Sequence, residues 1–159
     1  MSNISNTEKR GYTITLITMI LNILILGVIL VKFFIEVPVS IAFDLRDGVF
    51  YYLICFTIQS LLTIVFFIFV LRFVKNIKKK DFFNSGNYNK IFHSSIIIMI
   101  YATLNSMKSL IGVDIIYKDL LDTAPFTTVL LLNIALMMLN FLAIYDESES
   151  MKEEHDLTV

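Results

Sequence analysis

Leu61-Leu62-Thr63-Ile64-Val65-Phe66-Phe67-Ile68-Phe69-Val70-Leu71 carries a single hydroxyl in eleven residues and is apolar on every side of a helix. A soluble four-helix bundle needs only a stripe of about three apolar positions in seven, with polar residues opposite it. An all-round apolar helix belongs in a larger core or in lipid. Extended to Val49, the run reaches the roughly 20 residues that cross a hydrocarbon layer about 30 Å thick. Tyr12–Val31, Ile91–Ile111 and Pro125–Tyr145 match it in length. Together the four stretches fill just over half of the 159 residues, and Lys108 is their only ionisable side chain of the Asp, Glu, Lys and Arg type. The reading is all-α: an integral membrane four-helix bundle forming one domain over residues 1–159.

Composition agrees, with 57% hydrophobic residues, 17% charged residues and a mean hydropathy of +0.76. Lys9 and Arg10 precede the first stretch as they would a secretory leader. Its apolar run is too long for a leader and lacks a small-x-small cleavage site before Lys32-Phe33-Phe34-Ile35-Glu36, so a retained anchor is expected.

Charge placement sets the expected orientation. With four spans, the N-terminus, the middle loop and the C-terminus share a side and hold Lys9, Arg10, Arg72, Lys75, Lys78, Lys79, Lys80, Lys90 and Lys152, nine of 13 basic residues. The positive-inside rule then puts both termini in the cytoplasm. Glu36, Asp44, Asp47, Asp114, Asp119 and Asp122 fall on the opposite face. Lys75, Lys78, Lys79 and Lys80 adjoin the second span and are expected to contact anionic lipid headgroups, at about 1 kcal/mol per charge. A direct nucleic-acid role is not expected. The patch Val39, Ile41, Ala42 and Phe43 is expected along the interface, and Asp122 or Thr123 can cap the fourth helix ahead of Pro125.

Within the spans, polar residues recur at helical spacing: Thr15, Thr18 and Asn22; Tyr52, Cys55, Gln59 and Thr63; Ser94, Tyr101, Asn105 and Lys108; Asn133 and Asn140. An amide facing lipid leaves its polar atoms unpaired at a cost of several kcal/mol, so these faces are expected to turn together. Asn22, Gln59 and Asn133 should meet near mid-depth, with Asn105 displaced outward and Asn140 inward. The expected role is adhesion between helices, and a mid-membrane site is the alternative. No Asp, Glu or Arg accompanies them, which weakens a proton relay. Lys108, a turn from the end of its span, is expected to extend to the interface. One cysteine and two histidines offer no conventional structural zinc set, and no phosphate loop or nucleophile elbow is present. Neither enzymatic activity nor a cofactor is expected.

Two segments carry a resemblance. Phe83-Asn84-Ser85-Gly86-Asn87 before the third span, and Met151-Lys152-Glu153-Glu154-His155-Asp156-Leu157-Thr158-Val159 at the end, resemble the small four-span bacterial proteins of the domain-of-unknown-function 2975 family. That family shows a Phe and an Asn four residues apart and ends near Glu-Asn-Asp-Leu-Thr-Val. This chain departs from it with Asp81-Phe82 in place of Gly-Pro, and with His155 in place of Asn. The resemblance implies residence in the bacterial cytoplasmic membrane and a regulatory or sensing role beside a small helix-turn-helix partner or another membrane protein. Phe83, Asn87, Glu154, Asp156 and Thr158 would then form a cytoplasmic contact surface. Asn87 as a helix cap is the plainer alternative, and a bacteriocin-immunity or transport-accessory role is the alternative function.

Overall fold

The computed structural model describes residues 2–77, 85–138 and 141, and all regular structure among them is helical. Helix α1 (Ser2–Glu36) contains no proline. It closes with the Val37 N–H on the Phe33 carbonyl at 2.8 Å, where Pro38 cannot continue the ladder. Pro38 then starts the one-turn α2 (Val39–Ala42), its carbonyl accepting from Ala42 at 3.0 Å. A turn led by Asp44 follows. Asp47 caps α3 (Gly48–Ile77), its Oδ1 taking the Val49 N–H at 3.1 Å.

Further along the chain come α4 (Ser85–Leu110) and the short α5 (Ile115–Leu120). The last helix, α6 (124–138), opens with Asp122 Oδ1 on the Ala124 N–H at 2.9 Å and the Thr123 carbonyl on the Thr127 N–H at 3.0 Å. Asp122 and Thr123 thus share the capping between them.

Helix α3 is the central element and packs against α1, α2 and α4. Two apolar cores lie along it. Phe33, Val37, Val49, Tyr52, Leu53, Phe56, Leu121 and Phe126 form the core at the end bearing α2 and α5. Phe66, Phe67, Val70, Phe73, Val74, Ile97, Tyr101, Leu130 and Met137 form the other. Gly48 permits a close approach at the first end: a Cβ there would stand 2.8 Å from the Gly112 carbonyl and 3.0 Å from Val113 Cγ1.

Three segments are long and apolar enough to cross a membrane: Gly11–Glu36, Gly48–Asn76 and Ile115–Met138. Helix α4 is not among them. At 26 residues it has the length, but Asn89, Lys90, His93, Asn105 and Lys108 dilute its apolarity. Helix α1 is the least covered, with 11% of its spanning window buried in the chain against 44% for α3. Ile17, Leu21, Leu24, Val28, Val31 and Ile35 project from it, the composition of a lipid-facing surface.

Candidate functional site: a polar seam between the helices

Asn22, Gln59 and Asn133 are each 0% exposed. No hydrogen bond joins these three amides to one another, contrary to a single mid-depth meeting point. Gln59 Nε2 instead donates to Asn105 Oδ1 at 3.2 Å, linking α3 to α4, and Thr123 Oγ1 donates to the same oxygen at 3.2 Å from the start of α6. Asn133 Nδ2 reaches Thr18 Oγ1 at 3.2 Å, linking α6 to α1, and its own Val129 carbonyl at 3.0 Å. Both amide atoms of Asn22, and Oε1 of Gln59, have no partner within the chain. The seam is therefore split in two.

Tyr101 and Thr127 share a 2.8 Å hydroxyl contact, and Thr127 also donates to the Thr123 carbonyl at 3.1 Å. Thr127 was missed by sequence reasoning. Its signal was present in Thr123 and Thr127, hydroxyls one turn apart, the first of them at the helix cap. Asn105, Asp122, Thr123, Ala124, Thr127 and Thr128 line a shallow polar groove at the α2/α5 end.

Lys108 overturns the expected extension to the interface. It is 3% exposed, and its Nζ donates to the Leu121 carbonyl at 2.6 Å while lying 4.3 Å from the Tyr52 ring centre and 5.3 Å from that of Phe56. A carbonyl at the broken end of α5 supplies the lone pair, and the aromatic faces supply negative quadrupole. Among the described residues no carboxylate lies within ion-pair distance of Lys108, and the one ion pair is exposed, Lys32 with Glu36 at 4.0 Å. Asn105 by contrast keeps part of its side chain exposed while bonding inward.

At the opposite end, Asn87 is 1% exposed, so it is not part of an open contact surface. Its Oδ1 accepts from Asn76 Nδ2 at 2.9 Å and Lys90 Nζ at 3.2 Å, which ties the end of α3 to the first turn of α4. Lys75 is exposed in the last turn of α3, where a cation complements the helix dipole. Lys78, Lys79, Lys80, Phe83, Asn140, Glu154, Asp156 and Thr158 lie outside the described residues. His93 stacks on Phe69 with ring centres 5.6 Å apart, and its Nδ1 contacts the Asn89 carbonyl. Among the described residues, no group of three or more His, Cys, Asp or Glu side chains could hold a metal ion.

Searches against protein-family models, curated proteins and solved structures returned no match for this chain.

Proposed function

We propose that the chain is a four-span protein of the bacterial cytoplasmic membrane with both termini in the cytoplasm, non-enzymatic, which binds a regulatory partner through its middle loop and tail. The supporting observation is how the intramembrane polar groups are used. Gln59, Asn105 and Thr123 bond to one another, Asn133 bonds to Thr18, and Lys108 bonds to Leu121. Such contacts, worth about 0.6 to 2 kcal/mol each, hold helices together. Outside the spans, polar sequence is concentrated in the basic 72–90 segment and the acidic 146–156 tail.

For α4 as the third span, support comes from its packing along α3 and from Asn105 and Lys108 turning their polar atoms onto neighbouring elements. The regulatory partner, a small helix-turn-helix protein or another membrane protein, follows from the resemblance of Phe83–Asn87 and of the tail. Deleting Glu153–Val159 is expected to abolish co-purification of that partner from native membranes while insertion persists. An unchanged interactome refutes the reading. Single cysteines placed in the tail, in a Cys55→Ser background, should resist membrane-impermeant maleimide in intact cells.

The groove of Asn105, Asp122, Thr123, Thr127 and Thr128 favours a second reading, an immunity-type or transport-accessory protein acting from outside. Protection from a membrane-active peptide, lost on Asn133→Leu or Gln59→Leu but kept without the tail, distinguishes it.

A further inference from the structure

The α1–α3 seam repeats Tyr12, Thr15, Met19, Asn22, Leu26, Ile29 and Phe33 at alternating steps of three and four, the spacing of a helix–helix contact line. Phe33 packs in the core of Val49, Tyr52 and Phe56, and Met19 in that of Phe66 and Phe67. The two helices run antiparallel with equal rise, so these anchors bring Asn22 level with Thr63, about one turn along α3 from Gln59. Gln59, Ser60, Thr63 and Asn22 are all 0% exposed.

Hydrogen-bond accounting at this rung is unbalanced. Ser60 gives its hydroxyl proton to the Phe56 carbonyl at 2.8 Å, and Thr63 gives its proton to the Gln59 carbonyl at 2.9 Å. Both oxygens are left with lone pairs only. Gln59 Oε1 and Asn22 Oδ1 are unpartnered acceptors, and Asn22 Nδ2 is an unpartnered donor. Buried polar groups are nearly always paired, so this rung needs something that both donates and accepts.

We propose that the Asn22–Gln59 rung is a binding site for internal water, bridging the Asn22 amide and the Gln59 side-chain carbonyl. Water fits the mixture: it accepts from Nδ2 and donates to Oδ1 and Oε1, giving the two to four bonds usual for a buried molecule. A monovalent cation matches the oxygens, but it would confront the Nδ2 donor with no carboxylate to offset its charge. An apolar ligand leaves every group unpaired. The water gives α1, the least covered helix, an exchangeable link to α3 in place of a fixed bond. This inference does not depend on what the cytoplasmic segments bind.

The test is water-edited NMR on the full chain in lipid nanodiscs with isotope-labelled asparagine, the Asn22 side-chain resonance being assigned by its loss in Asn22→Leu. The expected result is water-to-Nδ2 magnetisation transfer several-fold above that to the backbone amide of lipid-facing Leu24, falling by at least half in Gln59→Leu while the backbone spectrum persists. A dry Asn22 amide overturns the proposal. So does a side-chain shift that saturates with Na+ or K+ at constant ionic strength, which would make the site a cation site. If Asn22→Leu fails to insert, Asn22→Gln supplies the assignment and the same comparison decides.

Discussion

Replacing Lys108 by methionine and, separately, by alanine divides the side chain into head and stem. Methionine keeps most of the stem and removes the ammonium. Lost with it are the 2.6 Å bond to the Leu121 carbonyl, about 1.5–3 kcal/mol for a charged donor, and the Tyr52 contact, about 2 kcal/mol when desolvated. Recovered is the penalty for burying an ammonium, several kcal/mol after relaxation. These nearly cancel, so Lys108→Met is expected within about 1 kcal/mol of the parent. Alanine removes the stem too. In a packed site, the additional void of roughly 75 Å³ at about 24 cal/mol per Å³ makes Lys108→Ala less stable than Lys108→Met by about 2 kcal/mol. Reversible unfolding of the full chain by SDS in mixed micelles measures both. If the two variants agree to within about 0.5 kcal/mol, the stem is not enclosed between Tyr52, Phe56 and Leu121, and the inward orientation is wrong.

Four further substitutions, compared in two pairs, test the packing, each read in the same unfolding assay. Gly48→Ala drives a methyl against the Gly112 carbonyl, a backbone atom with little room to retreat, and should cost about 1–3 kcal/mol, whereas Gly27→Ala meets nothing within 4 Å and should be neutral or stabilising by up to about 1 kcal/mol. Equal effects refute the close approach. Asn105→Leu removes one acceptor serving both Gln59 and Thr123 and should cost about 1–2 kcal/mol more than Gln59→Leu, which leaves the Thr123 bond in place. The reverse order would mean that Asn105 is not the shared acceptor.

Membrane character was legible because Leu61–Leu71 offers no polar face; the first and second apolar stretches fall within candidate spans, and the last overlaps one that begins ten residues earlier, at Ile115. The third differs. The Ile96–Ile100 run is as apolar as any other, yet α4 extends back through His93 and Lys90 and forward through Asn105 and Lys108, so over its length it is amphipathic. Spacing gives each residue a depth along its own helix; it does not give the rotation of that helix against its neighbours. That is why the polar stripes could be read but not their pairings, Gln59 with Asn105 and Asn133 with Thr18. Lys108 went unread for a related reason. Its acceptor is a main-chain oxygen, left without a helical partner because the chain breaks between α5 and α6, and 115–120 falls between the apolar stretches. Asp114 followed by Ile115, Ile116 and Leu120 was the available signal for that helix. Asn87 was assigned to a surface through its resemblance to a motif, and the motif contains nothing about the proximity of Asn76.

The thin coverage of α1 has an evolutionary corollary. Its outward positions, Leu21, Leu24, Val28 and Val31, touch little else in the chain and can drift freely among aliphatic residues of any shape. A saturation-mutagenesis map of this helix should therefore resemble a bar code: dark bands every third or fourth codon along Thr15, Met19, Asn22, Leu26, Ile29 and Phe33, and pale gaps in which only charge is rejected.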